Sequence, residues 1–115
     1  MSAPKLLRLA ENEIRRTLHK LPPDIRATAE ECQVIFDDGA DDDGLLGVFE
    51  GNSRLDPPPA DPVDMPCITL FLQNLWEFAG KQDRPYRREV RKTFLHELGH
   101  YLGWDEEEIE ALGLG

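Results

Sequence analysis

Two histidines and a glutamate near the C-terminal end of the sequence have the spacing of a metal site: His96, Glu97 and His100. On a helix, residues four positions apart lie on the same face, one turn apart, so the two imidazoles can bind one metal ion. Glu97 is rotated by about 100° from His96 on a 3.6-residue helix, which places its carboxylate beside the histidine pair. This arrangement suits a general base that acts on a metal-bound water.

The residue types favour zinc as the metal. Two neutral imidazoles and one carboxylate form the ligand set of many catalytic zinc sites, with a water in the fourth position. Zinc lowers the pKa of that water to about 7, so hydroxide is available at neutral pH. Glu97 can then accept the proton and pass it to a leaving amine. We therefore expect Zn²⁺ as the cofactor, bound by His96 and His100.

The third ligand is expected among the residues that follow the motif, where Asp105 and Glu106 compete for the role. Gly103 lets the chain leave the helix through a left-handed turn and fold back towards the metal. Asp105 also has a structural interpretation, as the N-cap of a final helix in a capping box that Glu108 completes. Glu106 lies three residues after the glycine, where extended His-Glu-x-x-His motifs place their third ligand. We predict Glu106 as the third ligand, with Asp105 as the alternative.

The elements that position these residues follow from hydrophobic periodicity and from the positions of proline and glycine. The predicted elements are a helix over Lys5–Lys20, a helical turn over Asp24–Glu31, strands over Cys32–Phe36, Leu45–Glu50 and Cys67–Leu72, a short helix over Gln73–Ala79 and a long helix from Pro85 to Leu102. An acidic loop over residues 37–44 and a proline-rich loop over residues 51–66 connect the strands. Gly47 in the second strand indicates a bulge or a close approach of another segment.

The long helix has two different faces. A helical wheel puts Thr93 and His100 within about 60° of His96. Phe94 and Leu98 fall on the opposite side, where they can pack against the sheet. The two histidines therefore do not lie on the main apolar face, and this counts against their being histidines of the core.

Composition limits the class of partner. The 115 residues include 13 Lys and Arg and 23 Asp and Glu, which give a formal net charge of −10. Such a charge argues against nucleic-acid partners and anionic membrane surfaces, because phosphate binding needs clustered cations. No apolar run approaches the roughly 20 residues of a membrane span, and the N-terminal residues lack a signal-peptide pattern, so we expect a cytoplasmic protein. Cys32 and Cys67 are expected to be buried thiols rather than a disulfide or zinc ligands.

The segment from Val90 to Glu107, VRKTFLHELGHYLGWDEE, resembles the minimal zincin-like metallopeptidase family of bacteria, first catalogued as a domain of unknown function. The upstream segments LPP (21–23), LLGVFEG (45–51) and PCITL (66–70) also resemble it, so the resemblance covers nearly the whole chain. It implies an α+β fold with a small sheet over the motif helix, a zinc ion on the two histidines, and peptidase activity. The family motif ends in an aspartate three residues after the glycine, and Glu106 stands there instead.

We therefore predict a single α+β domain over residues 1–115, in which a three- to four-stranded sheet packs with the N-terminal helix and the long motif-bearing helix. The predicted function is zinc-dependent hydrolysis of peptide bonds in a peptide or protein substrate, by a monomer that uses Glu97 as the general base. The alternative is a non-proteolytic zincin-fold module that binds metal or another protein. A peptide substrate would pair with an edge strand, for which Leu45–Glu50 and Cys67–Leu72 are the candidates.

Overall fold

A computed structural model describes residues 3–38, 44–51 and 65–111, apart from the side chains at positions 106 and 109. Most of the predicted acidic and proline-rich loops, and the side chain of Glu106, therefore lie outside the described residues. The elements of the described part are α1 (Ala3–Lys20), α2 (Pro23–Ala29), β1 (Gln33–Asp37), β2 (Gly47–Glu50), β3 (Cys67–Phe71), α3 (Leu72–Phe78), α4 (Asp83–Leu102) and α5 (Glu106–Glu110).

Element boundaries differ from the prediction by a few residues, for local reasons. Strand β1 begins at Gln33 rather than Cys32, because the Cys32 amide donates to the carbonyl of Ala29 (3.1 Å) and closes the turn after α2. Helix α4 begins at Asp83, two residues before Pro85. Proline is tolerated there because the amides of a first helical turn have no partner within the helix.

The three strands form a mixed sheet in the order β1-β3-β2. Strand β1 pairs in parallel with β3, and β2 pairs with β3 antiparallel, with Gly47 opposite Leu70 and Glu50 opposite Cys67. Both sides of β3 are thus hydrogen-bonded, so the prediction that this strand offers a free edge to a peptide is wrong. Strand β2, the other candidate, lies at an edge of the described sheet.

Helices α1, α3 and α4 pack around a core on one face of this sheet. Ile68 and Leu70 of β3 are fully buried, and Phe94 and Leu98 of α4 are each 1% exposed, which confirms the predicted apolar face of α4. The fully buried Tyr86 joins α4 to α1, where its hydroxyl donates to the Leu6 carbonyl (2.8 Å). The fold is α+β, as predicted. No helix in the described ranges is long and apolar enough to cross a membrane.

Candidate metal centre

The predicted metal ligands His96 and His100 lie in the last two turns of α4, and a glycine-closed turn follows them directly. Gly103 has φ 75° and ψ 22°, the left-handed conformation that favours glycine. The Trp104 amide donates to the Gly99 carbonyl (2.8 Å), and the Gly103 amide donates to the His100 carbonyl (3.2 Å). These two bonds form a Schellman motif, which satisfies carbonyls at the end of the helix. The predicted left-handed exit after the motif is confirmed.

The two histidine side chains face each other with their ligand atoms close together. The Nε2 atoms of His96 and His100 are 3.3 Å apart, and the ring planes are inclined by 80°. Two nitrogens bound to one tetrahedral zinc at 2.0–2.1 Å would be about 3.3–3.4 Å apart. The separation of the two nitrogens therefore matches that expected for a shared zinc ion. His96 is half-buried and His100 is exposed, so neither belongs to the core.

Glu97 completes a compact group of possible ligands. One ligand atom from each of His96, Glu97 and His100 can be chosen so that all three lie within 4.8 Å of one another. Glu97 is half-buried, and it borders the same depression as His96. The Glu97 carboxylate therefore lies beside the two imidazoles, at the edge of the depression.

The depression lies between α4 and the edge strand β2, with a cavity volume of about 300 Å³. Its lining residues come from the start of β2, the residue before it and two successive turns of α4: Leu46, Gly47, Lys92, Thr93, His96 and Glu97. This volume is at the lower end of the range of small-molecule sites, roughly 300–1,000 Å³. His96 and Glu97 thus open onto a concave surface.

Gly47 allows β2 to lie against α4 at the depression. A Cβ atom at this position would lie 2.6 Å from Thr93 Cγ2 and 3.1 Å from the backbone oxygen of Thr69. Contacts this short leave no room for a side chain, so the close approach expected for Gly47 is confirmed. The glycine brings the edge strand within one helical turn of His96.

Asp105 is engaged as the cap of α5. The Glu108 amide donates to Asp105 Oδ1 (2.8 Å), and the Asp105 amide donates to Glu108 Oε1 at 3.5 Å. This reciprocal pair is the predicted capping box. Glu106 begins α5, but its side chain lies outside the described residues. Its role as the third ligand stays a prediction.

Tyr101 follows the motif directly but points away from the depression. Its hydroxyl donates to Glu31 Oε1 (2.6 Å), and its ring packs against Phe49 with the centroids 6.0 Å apart. It is 7% exposed. Tyr101 therefore links α4 to the segment before β1 and to β2.

Lys92 is a residue of the depression that the His-Glu-x-x-His motif does not predict. It precedes His96 by four residues, and this spacing is the signal in the sequence that places both on one face of α4. Its neighbour Arg91 points elsewhere, to Glu13 of α1, with an Nη1–Oε1 distance of 3.3 Å. The two adjacent cations thus have different surroundings.

Most of the chain matches the model of a known protein family. The model of the zincin-like metallopeptidase family matches residues 24–115, which is most of the chain and includes all of α4. No curated protein matches this chain. The matched region begins in α2 and extends through the sheet, the paired histidines and the turn after them. The histidine geometry and the extent of this match lead to the same conclusion: the chain belongs to the zincin-like metallopeptidase family.

Proposed function

We propose that this protein is a zinc-dependent metallopeptidase in which Glu97 is the general base. The observation that carries the proposal is the 3.3 Å separation of the Nε2 atoms of His96 and His100, with Glu97 beside them at a depression. Family membership adds support, because metallopeptidase is the description of the matched family. We expect a peptide or protein substrate, and a monomer in the cytoplasm.

Three side chains are proposed to hold the zinc ion: His96 and His100 through Nε2, and Glu106 through its carboxylate. Asp105 is the weaker candidate, because one of its oxygens already accepts the Glu108 amide in the capping box. When bound, zinc supplies a water molecule with a pKa lowered to about 7. Glu97 accepts a proton from the attacking water and later donates it to the nitrogen of the leaving amine.

Strand β2 is the proposed docking edge for the peptide. It is an edge strand of the described sheet, and Gly47 at its start borders the depression beside His96. A peptide that adds to this edge by backbone hydrogen bonds would run past Glu97. Backbone pairing would hold the peptide whatever its sequence, so side-chain selectivity would have to come from the depression.

A zincin-fold module that binds metal or protein without proteolysis is the second candidate. The observation that favours it concerns Tyr101, the tyrosine nearest to the motif in sequence. Its hydroxyl is hydrogen-bonded to Glu31, so it does not offer a donor to a developing oxyanion at the depression. Oxyanion stabilisation is commonly a large part of the catalysis of acyl transfer.

The proposal is tested by metal content and peptide cleavage in matched variants. Wild type, Glu97→Gln and Glu89→Gln are purified with zinc and analysed for bound metal, then incubated with a broad peptide library. Glu89 is a half-buried carboxylate two turns before Glu97 on α4, and it does not line the depression. We expect one zinc per chain in all three, cleavage by wild type and Glu89→Gln, and a loss of roughly 10²- to 10⁴-fold in Glu97→Gln.

Two other results would change the conclusion. Wild-type protein without stoichiometric metal would reject the zinc peptidase and the metal-binding module together. Stoichiometric zinc without any cleavage that depends on Glu97 would reject the peptidase and favour the binding module.

A further inference from the structure

We propose that Lys92 forms the cationic end of a substrate subsite in the depression, and that this subsite selects an acidic side chain next to the scissile bond. The inference rests on the proposed peptidase function. It adds a substrate preference that the metal motif does not contain.

Lys92 lies close to the residues of the proposed chemistry. Lys92 and His96 are four residues apart on α4, so their side chains are separated by about one helical pitch, 5.4 Å. Both line the depression, together with Glu97. A substrate side chain that enters the depression next to the scissile bond would therefore have the Lys92 ammonium within reach.

The Lys92 ammonium has no charged or hydrogen-bonded partner in the part of the chain that the structure describes. The ion pairs described there join Arg91 to Glu13 and Lys5 to Asp83, and Lys92 makes no ion pair or hydrogen bond with a described residue. The chain has 23 acidic and 13 basic residues, and yet the exposed Lys92 at the rim of the depression has no acidic partner among the described residues. No acidic group among the described residues pairs with this ammonium, so an anionic substrate group can do so.

The segment of α4 that ends at Lys92 is rich in basic residues. Residues 83–92 of α4 contain five basic and two acidic side chains, although the whole chain has a net charge of −10: Arg84, Arg87, Arg88, Arg91 and Lys92 against Asp83 and Glu89. Among the described residues, the acidic group that lines the depression is Glu97, which lies more than one turn beyond Lys92. A carboxylate would therefore be repelled near Glu97 and attracted near Lys92.

The other walls of the depression suit the stem of an acidic side chain. Leu46 contributes an apolar side chain, and Gly47 contributes backbone without a side chain. Methylene groups can lie against these walls while the carboxylate at their end reaches the ammonium. Glutamate combines an apolar stem with a terminal charge, and we infer that it is the preferred residue.

The test measures binding to zinc-loaded protein, so it does not depend on turnover. The probes are three dipeptide hydroxamates that are identical except for a glutamate, glutamine or leucine side chain next to the zinc-binding group. Their Kd values are measured by calorimetry with wild type, Lys92→Met, Lys92→Glu and Arg88→Glu. Arg88 is an exposed cation one turn before Lys92 that does not line the depression, so its variant controls for the change in net charge.

We expect wild type to bind the glutamate probe about fivefold more tightly than the glutamine probe at low salt, the effect of one ion pair at about 4 Å in water. This preference should fall as salt is added. It should disappear in Lys92→Met, reverse in Lys92→Glu and persist in Arg88→Glu. Circular dichroism checks that each variant is folded.

The outcomes separate this inference from the proposed function. Equal Kd values for the glutamate and glutamine probes in wild type, with normal binding of the leucine probe, would overturn the acidic subsite and leave the peptidase proposal intact. A glutamate preference that persists in Lys92→Glu would also overturn it, because another group would have to carry the selectivity. Failure of all three probes to bind zinc-loaded wild type would overturn both proposals.

Discussion

Replacing Gly47 by alanine should destabilise the protein by a clash that can be located to single atoms. The new Cβ would lie 2.6 Å from Thr93 Cγ2, 3.1 Å from the Thr69 carbonyl oxygen and 3.3 Å from Leu70 Cδ2. Carbon atoms in ordinary contact are about 3.5–4.0 Å apart, so the first distance is about 1 Å too short. Thr93 is β-branched and has restricted rotamers on a helix, and Thr69 belongs to the central strand. Neither group can move aside easily.

The expected change in the free energy of unfolding results from two opposing effects. Overpacking of this kind costs about 1–3 kcal/mol. Alanine is favoured over glycine within a strand by about 0.5–1 kcal/mol, which offsets part of that cost. We therefore expect Gly47→Ala to lower the free energy of unfolding by about 1.5 kcal/mol. With a urea dependence of about 1–3 kcal/mol per M, the unfolding midpoint should fall by roughly 0.5–1.5 M.

A double-mutant cycle in urea shows whether the Thr93 methyl group is the cause. Thr93→Ser removes Cγ2 and keeps the hydroxyl, so the double variant should recover about 1 kcal/mol relative to the sum of the single effects. Gly44→Ala is the control: a Cβ there meets nothing within 4 Å, but φ is 72°, so its cost is conformational. Thr93→Ser should not rescue it. An unchanged midpoint in Gly47→Ala, or additive effects in the double variant, would refute the steric explanation.

Two further predictions concern the third ligand and the buried thiol. Glu106→Ala should weaken zinc binding by at least roughly 10- to 100-fold, the loss typical when a residue that hydrogen-bonds to a metal ligand is removed. Asp105→Ala should mainly lower the free energy of unfolding by about 1 kcal/mol, because a helix cap is lost. The reverse order of zinc affinities would make Asp105 the ligand. Burial, reinforced by the nearby charges of Glu31 and Cys67, raises the pKa of Cys32 to about 12. Only about 10⁻⁴ of the Cys32 thiol is therefore ionised at pH 8. Alkylation should modify the more exposed Cys67 first. Because an unfolded thiol ionises near pH 8.5, the stabilisation from the neutral Cys32 should be lost as pH rises from about 8.5 to 12 in urea titrations. Equal alkylation rates of Cys32 and Cys67, measured by mass spectrometry, would contradict the predicted order of modification.

Local features of the site could be predicted from the sequence, because each depends on residues within one or two helical turns. The face of α4 that holds His96 follows from the 3.6-residue period. The left-handed exit at Gly103 and the cap at Asp105 follow from backbone preferences at helix ends. In each case neighbouring residues decide the conformation, so a pattern in the sequence is sufficient.

Strand order and the shape of the depression could not be predicted with the same certainty, because they depend on segments far apart in the chain. The sequence offered both β2 and β3 as edge strands. The apolar run of β3 indicated that the strand is buried, but cover on the faces of a strand does not tell which of its edges are paired. Gly47 and Lys92 line the same depression although they are far apart in the chain, and no local pattern connects them.

The strand order β1-β3-β2 has a consequence for how the protein folds. The β2–β3 pairing joins residues 17–23 positions apart, whereas the β1–β3 pairing joins residues 34 positions apart. Shorter loops close with a smaller loss of chain entropy, so the antiparallel pair should form before β1 is added in parallel. Every residue that lines the depression lies between positions 46 and 97. The depression can therefore assemble early, and α1 supports it by packing against α4.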